Sequence, residues 1–184
     1  MANTVTNVSA GKPKAGGAIW IAPVGTTLPT DATTALDNAF SCLGYVSEDG
    51  LTNENSPESE TIKAWGGDTV LTVQTSKEDT FGFTLIEVLN IEVLKFVYGD
   101  TNVTGTLSTG ITITANSKEL ESHALVIEMN MREDAVKRIV VPIAKVSEIG
   151  EISYTDEDAT GYETTCEAMP DTSGNTHYEY ILRA

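Results

Sequence analysis

Residues 123–146 read HALVIEMNMREDAVKRIVVPIAKV, and apolar side chains recur in them at every second position. The alternating residues are Leu125, Ile127, Met129 and Met131 before the dipeptide Glu133-Asp134, and Ile139, Val141 and Ile143 after it. Side chains of a strand point to opposite faces in turn, so this period predicts two strands joined by a short turn. Pro142 has no N–H to donate, which predicts an edge or bulge position within the second strand.

Similar patterns on both sides of this hairpin predict a chain made largely of strands. The further predicted strands are residues 18–22, 42–46, 69–74, 80–87, 111–114, 149–154, 162–168 and 178–182, with a turn through 76–79 between the third and the fourth. Asn90 can cap a short helix over residues 91–98, and Gly99 follows at the position where glycine commonly ends a helix. Many short strands and one helix predict a mainly β fold, an antiparallel β-sandwich or barrel with one short flanking α-helix.

The length of 184 residues suits a single domain at residues 17–184, preceded by a flexible N-terminal arm at residues 1–16. Within the domain, residues 47–67 show no sustained period and predict a long loop. Loops beyond ~12 to 15 residues are uncommon in compact domains and are usually functional or disordered. Trp65, near the end of this loop, is a large apolar side chain that buries either in its own domain or in a neighbouring subunit. The pattern leaves both alternatives open.

The charge of the chain is unbalanced and localised. There are 27 acidic residues against 11 Lys and Arg, a formal net charge of −16. The excess lies in residues 31–60, with seven acids, and in residues 146–182, with nine; neither segment contains a Lys or Arg. Such a surface repels nucleic acid and anionic lipid rather than binding them. Solubility of an acidic protein is the simpler explanation and also stays open.

The sequence offers little for catalysis, cofactor binding or membrane anchoring. The two histidines, His123 and His177, have no second ligand at zinc-site spacing, and no nucleophile-elbow or phosphate-loop motif occurs. Cys166 alternates with apolar positions of a predicted strand, which favours a buried, inert thiol. No apolar run approaches the ~18 residues of a membrane helix, and no secretory leader is evident at the N-terminus. We therefore expect a protein that is not an enzyme and is synthesised in the cytoplasm without a cofactor or a membrane anchor.

One segment matches the spacing of a calcium-binding loop. Asp156, Asp158, Thr160 and Gly161, followed by Glu167, stand at the positions that such a loop uses. However, strand-like rather than helical residues flank the segment. The sequence therefore favours an acidic turn, with calcium binding by Asp156, Asp158, Thr160 and Glu167 as the weaker hypothesis.

Several longer motifs together resemble the major tail tube proteins of long, flexible-tailed (siphovirus-type) bacteriophages. The motifs are GGAIWIAPVGTTLP at 16–29, LGYVSEDG at 43–50, AWGGD at 64–68, FGFTLIE at 81–87, NIEVLKFVYGD at 90–100 and GNTHYEY at 174–180. The likeness extends over nearly the whole chain from about residue 12 onward. It brings no catalytic residues with it.

The resemblance implies a structural virion protein that forms hexameric rings, which stack into a hollow, negatively lined tube for the passage of phage DNA during ejection. It implies the tail tip or initiator, the tape measure and the tail terminator proteins as further partners, assembly in the host cytoplasm and a place in the virion tail. It also implies that the loop and the arm contact neighbouring subunits. The contact candidates are Trp65, Ile62, Leu51, Lys12 and Lys14.

Two other functions remain open on the sequence. A tube protein of a type VI secretion or contractile injection-like system shares the ring architecture. A calcium-binding β-sandwich adhesion module would instead be a monomer whose stability depends on calcium.

Overall fold

The computed structural model describes residues 3–183. This part of the chain contains eleven β-strands, one α-helix and two short 3₁₀ turns, at Val5–Asn7 and Asp100–Asn102. In chain order the elements are β1 (Lys12–Pro13), β2 (Ile19–Pro23), β3 (Ser41–Cys42), β4 (Val46–Lys63), β5 (Thr69–Leu85), α1 (Ile91–Tyr98), β6 (Val103–Thr106), β7 (Gly110–Ile113), β8 (His123–Asn130), β9 (Ala135–Ile149), β10 (Tyr162–Met169) and β11 (Tyr178–Arg183).

Nine strands form one antiparallel sheet in the order β3-β2-β8-β9-β10-β5-β4, while β1 pairs with β8 and β11 pairs with β9. Strands β6 and β7 form a separate hairpin. The prediction of a mainly β, antiparallel fold with one short helix is confirmed. Because β2 pairs with β8, and β10 with β5, residues far apart in sequence meet along the faces of the sheet.

The hairpin predicted from residues 123–146 is present as β8 and β9. Glu133 and Asp134 both have positive φ, 55° and 56°, as a tight two-residue hairpin turn requires. Across the pairing of β9 with β8, the register shifts between His123 and Leu125, opposite Pro142. Along β9, Pro142 also lies between Val140, which pairs with β11, and Ile143, which pairs with β10. Of the edge or bulge position predicted for Pro142, the structure shows the bulge.

The main core lies on one face of the sheet, under α1. Asn90 caps this helix by accepting a hydrogen bond from the Glu92 N–H at 3.1 Å, and Gly99 ends it with φ 95°. The helix buries Val93, Leu94, Phe96 and Val97 against side chains of β2, β5, β8, β9 and β10. An eight-residue helix is not stable alone, so this packing holds it in place.

The opposite face of the sheet has two regions with different environments. Over β2, β8 and the first half of β9, the segment 24–40 covers a second, smaller core around Phe40, Val126 and Val140. Over β4, β5, β10 and the second half of β9, the same face carries exposed or half-exposed polar side chains. One half of this face is therefore structural, and the other is free to form a surface.

The prediction of a long loop at residues 47–67 is wrong. These residues form most of β4, which pairs with β5 from Val46↔Leu85 to Lys63↔Thr69. The expected turn at 76–79 does not exist either, because β5 is continuous and the hairpin turns at residues 64–68. Neither face of this hairpin is covered over most of its length, so the apolar alternation by which a strand is recognised is missing.

Two smaller predictions also need correction. The strand expected at 42–46 is two elements, because β3 ends at Cys42 and β4 begins at Val46. The strand expected at 149–154 does not form; β9 instead continues to Ile149, and residues 150–161 are irregular. Charged and polar residues in this stretch are exposed, so no packing favours an extended ladder there.

The described part of the N-terminal arm, residues 3–16, lies against its own domain. Lys12 and Pro13 pair with β8, and the Arg132 backbone N–H donates to the Ser9 hydroxyl at 2.6 Å. Arg183 donates to the Thr6 carbonyl oxygen at 2.9 Å. Met1 and Ala2 of the predicted arm lie outside the described residues. The mobility of the arm before assembly stays a prediction.

Candidate assembly surfaces

The β4–β5 hairpin projects far beyond the rest of the sheet. Its last pair with buried contacts is Asn55↔Asp79, beyond which every residue from 56 to 78 except Ser76 is exposed. We call residues 56–78 the distal hairpin. With a strand rise of ~3.3 Å per residue, it extends by roughly 26 Å. A projection of this length without a covering layer is a surface that another molecule can contact.

The tip of the distal hairpin presents Trp65 entirely to solvent. The Ala64 N–H donates to the Asp68 carbonyl oxygen at 2.7 Å, and the Gly67 N–H donates to the Ala64 carbonyl oxygen at 3.0 Å. Gly66 and Gly67 have φ of 116° and 99°, which other residues rarely adopt. The relative exposure of Trp65 is 107%. Of the two alternatives for Trp65, burial in its own domain is therefore wrong for the isolated chain.

An apolar patch continues from the tip along one face of the distal hairpin. Ile62 and Leu71 are directly opposed in the ladder, so their side chains share a face, and Val73 lies two residues farther along β5 on that face. The relative exposures of Ile62, Leu71 and Val73 are 52%, 52% and 44%. The sequence analysis did not identify Leu71 and Val73, although their strand was predicted, because alternation alone does not say whether a face is covered.

A buried carboxylate fastens the base of the distal hairpin to the sheet. Asp79 is 2% exposed, and its Oδ1 accepts a hydrogen bond from the Asn53 amide at 2.9 Å. Its Oδ2 accepts one from the Thr176 hydroxyl at 2.5 Å and lies 2.5 Å from His177 Nδ1. Burial raises the pKa of Asp79, but the hydrogen bonds from Thr176, His177 and Asn53 outweigh it and lower the pKa overall. We call these four residues the anchor cluster.

No pattern in the sequence pointed to the anchor cluster. Thr176 and His177 stand 97 and 98 residues from Asp79, and only the sheet brings them together. The His177 ring also packs edge-on against Phe81, with 5.4 Å between ring centroids. The single available signal was the motif at 174–180, which belongs to the resemblance rather than to any spacing rule.

A groove of about 780 Å³ opens at the other end of β4, between the arm, β2 and the start of β4. We call it the basal groove. Its apolar lining includes Ile127, Met129, Val46 and Leu51. Lys14, Glu48 and Glu87 contribute charged groups, and the free thiol of Cys42 also lines it. The volume falls within the range of ~300 to 1,000 Å³ that is typical of binding clefts.

The five contact candidates divide between these two surfaces. Trp65 and Ile62 belong to the distal hairpin, whereas Leu51 and Lys14 line the basal groove. Lys12 lies in β1, two residues from Lys14, and is exposed. Lys14 is also tied to the sheet, with its Nζ 2.9 Å from Glu128 Oε1. Whether any of them contacts a neighbouring subunit stays a prediction.

The four calcium candidates are not brought together as a ligand set. Asp156, Asp158 and Thr160 lie in the irregular stretch 150–161, whereas Glu167 lies in β10 opposite Thr80 and Lys145. Among residues 3–183 there is no group of three or more His, Cys, Asp or Glu side chains that could hold a metal ion. Cys166 is fully buried as predicted, and burial raises the pKa of its thiol to about 12.

On the uncovered half of the sheet, most of the charged side chains are exposed glutamates. Glu163 and Glu167 point away from the core on β10, since the core-facing positions of that strand are Tyr162, Thr164, Cys166 and Ala168. Their neighbours on the same face are Glu148 on β9 and Glu54 on β4, the latter opposite Thr80. Lys145 is the base among them. We call this surface the acidic face.

A family model described as phage tail tube protein matches residues 6–184. The chain belongs to the phage tail tube family. A search of curated proteins finds no match for this chain. The resemblance read from the sequence is thus confirmed over nearly the whole chain.

Membership of the phage tail tube family makes the chain a structural protein of a virion tail. A structural family of this kind accords with the expectation that the chain is not an enzyme. In the described part of the chain, none of the helices combines the length and the apolar content needed to cross a membrane. The candidate site of this tail tube protein is therefore a set of three surfaces: the distal hairpin, the basal groove and the acidic face.

Proposed function

We propose that this tail tube protein forms hexameric rings that stack into the tube of a long, flexible, siphovirus-type tail, and that phage DNA passes through the tube during ejection. The observation that carries the proposal is the sheet with one open, acidic half-face and a projecting hairpin. A tube requires a wall for its bore and contacts between its subunits. The acidic half-face can supply the wall, and the projecting hairpin can supply the contacts.

The ends of the sheet support closure by neighbouring copies. Strand β4 pairs with β5 alone among the described residues, and β3 pairs with β2 alone. Unpaired edges expose N–H and C=O groups that readily pair with another chain. In a ring, each edge meets the edge of the next subunit, so the sheets join into a barrel without free edges.

The acidic face supplies a wall to which DNA does not adhere. Glu54, Glu148, Glu163 and Glu167 are exposed on this face, whereas Lys145, the base among them, forms an ion pair with Glu119. At physiological salt the field of a charge extends only ~8 Å, so acids repel DNA only if they line the bore itself. We therefore assign the acidic face to the lumen and α1 with its core to the outside.

The further partners follow from the same proposal. A tube of defined length needs an initiator at the tail tip, a tape measure protein in its bore during growth and a terminator at its end. The proposal places assembly of these parts in the host cytoplasm and the finished tube in the virion.

Negative-stain electron microscopy of the purified protein across a concentration series tests the proposal. We expect rings with six subunits and hollow tubes as the concentration rises or when tail initiators are added. Monomers that persist with initiators present would overturn the conduit function.

The assignment of the lumen has its own test. Tubes built from a Glu163→Lys, Glu167→Lys variant should bind double-stranded DNA in a co-sedimentation assay, whereas wild-type tubes should not. The matched control is Asp156→Lys with Asp158→Lys, which changes the same charge in the irregular stretch 150–161. Equal binding by both variants would remove the acidic face from the lumen.

A further inference from the structure

We infer that the tip of the distal hairpin inserts into the basal groove of a second copy, with Trp65 as the inserted side chain. The inference rests on the proposed tube function and names the contact that joins its subunits. The observation behind it is that one molecule carries both an exposed apolar projection and an exposed apolar recess at opposite ends of the same strand.

The chemistry of the two surfaces is complementary. The tip offers the 107% exposed indole of Trp65 with Ile62 and Leu71 beside it, and the groove offers a largely apolar lining around Leu51 and Met129. Aromatic side chains that fill apolar recesses are the most common anchors of protein interfaces.

One exposed base beside the groove can pair with acids of the distal hairpin. Glu58 and Glu60 share the face of Ile62 on the distal hairpin, as the alternation along β4 requires. Lys12 is exposed on β1 beside the groove, whereas Lys14 is already paired with Glu128, and Glu48 and Glu87 are the acids of the lining. Opposite charges flanking an apolar contact orient it and favour the correct register.

The same chain cannot make this contact with itself. Leu51 in the groove and Ile62 near the tip lie on one strand, eleven positions apart, and both pair with β5. An extended strand places them roughly 35 Å apart. Folding the tip back would break the β4–β5 ladder, so the groove that accepts the tip belongs to another subunit.

The contact is therefore heterologous, with a different surface contributed by each partner. Every subunit has one tip and one groove, so each copy contacts two neighbours and the contact repeats without self-limitation unless the arrangement closes into a ring. This property suits a polymer and distinguishes the inference from a symmetric tip-to-tip dimer.

A cysteine at the tip tests the inference with a thiol that the groove already contains. Cys42 lines the groove and is partly exposed, while Cys166 is fully buried and unavailable for reaction. In an Ala64→Cys variant, which retains Trp65, a short thiol-specific cross-linker applied to assembled protein should yield a ladder of covalent dimers, trimers and larger species. The ladder should disappear when Cys42→Ser is added. A Ser173→Cys variant, with its thiol in an exposed turn far from either surface in sequence, is the matched control and should give no ladder that depends on Cys42.

The outcomes separate this inference from the function on which it rests. Tubes without a Cys42-dependent ladder, or cross-linked dimers that survive Cys42→Ser, would overturn the inference and leave the tube intact. Failure to form rings or tubes under any condition would overturn the proposed function. As a second readout, Trp65→Ala should raise the critical concentration for assembly by at least about tenfold without altering the circular dichroism of the monomer. An unchanged critical concentration would count against Trp65 as the inserted side chain.

Discussion

Arg138 is a charged side chain at the centre of the sheet, 1% exposed, and its surroundings explain why it is tolerated there. Its guanidinium donates to Glu128 Oε1, with Nη2 at 2.5 Å, and Nη1 donates to the Asp31 carbonyl oxygen at 2.8 Å. Glu128 of β8 also accepts from Lys14, so this buried carboxylate joins β9 and the arm, while Arg138 links β9 to the segment 24–40. A buried pair of this kind stabilises little compared with apolar residues, but breaking it leaves an uncompensated charge.

We therefore expect Arg138→Met to lower the free energy of unfolding by about 3 to 5 kcal/mol, as measured by urea denaturation of the monomer. Adding Glu128→Leu should recover part of that loss, because the stranded carboxylate is removed. Lys14→Met, which removes the half-exposed partner of Glu128, should cost less than about 1 kcal/mol. A double variant no more stable than Arg138→Met alone would contradict this account.

The anchor cluster makes stability depend on pH in the acid range. The pKa of Asp79 is lowered in the folded protein, so its stabilising effect is complete above the unfolded pKa of about 3.9 and is lost as the pH falls through the folded value. Asp79→Asn should therefore cost about 2 kcal/mol at pH 7, and the difference from wild type should shrink at pH 3. Denaturation at the two pH values checks this, with Asp158→Asn, an exposed acid, as the control. A difference that is as large at pH 3 as at pH 7 would exclude the carboxylate as the cause.

Among the secondary structure elements, β4 and β5 differ from the rest because half of their length has no packing partner. The ladder alone maintains the distal hairpin, and the anchor cluster sets where it leaves the sheet. Isolated two-stranded hairpins are only marginally stable in water. The distal hairpin is thus held out by its covalent continuity with the buried part of β5, and contacts in the assembly would stabilise it further.

Shortening the hairpin should separate folding from assembly. Replacing residues 57–77 by Asn-Gly joins the paired residues Ser56 and Glu78 through a two-residue turn. Because the removed residues are exposed, we expect the melting temperature of the monomer to change by no more than about 3 °C, while tube formation is lost. Thermal unfolding and electron microscopy measure the two effects. Deleting 47–67 instead would remove Leu51 and the pairing at the base of the sheet, so a misfolded product of that deletion would say nothing about assembly. Tubes formed by the shortened variant would show that the distal hairpin is dispensable.

At the scale of the whole molecule, the net charge of −16 opposes the approach of identical subunits. Salt screens this repulsion, with a Debye length that falls from roughly 30 Å at 0.01 M to ~8 Å at 0.15 M. Apolar contacts at Trp65 and in the basal groove are much less sensitive in this range. Under the proposed function, charge therefore opposes association and the apolar surfaces supply the attraction.

We expect the critical concentration for tube growth to fall as sodium chloride is raised from low to physiological concentration, as followed by light scattering. A variant with Glu148, Glu163 and Glu167 changed to Gln should depend less on salt. The matched control carries Gln at Glu151, Glu157 and Glu179, which lie outside the acidic face. A critical concentration that rises with salt would mean that ion pairs, rather than apolar contacts, hold the subunits together.

The sequence was sufficient to predict those elements whose conformation depends on their own residues. The turn at Glu133-Asp134, the bulge at Pro142 and the helix between Asn90 and Gly99 depend on nearby backbone geometry, and all three were predicted. The resemblance to tail tube proteins was also carried by residues in the chain and is confirmed over residues 6–184.

The surfaces required knowledge of which faces the fold covers. Apolar residues alternate along a strand when one of its faces is buried. The distal hairpin has no buried face, so its first strand, within residues 47–67, was predicted as a loop. Asp79 and His177 are 98 positions apart and meet only because β5 and the residues before β11 flank the same end of the sheet. Trp65 likewise had two open alternatives in the sequence, since an apolar side chain does not encode whether another part of its own chain will reach it. Backbone preferences are local and can be read from neighbouring residues, whereas burial is a sum over contacts from the whole chain and exists only once the sheet has formed.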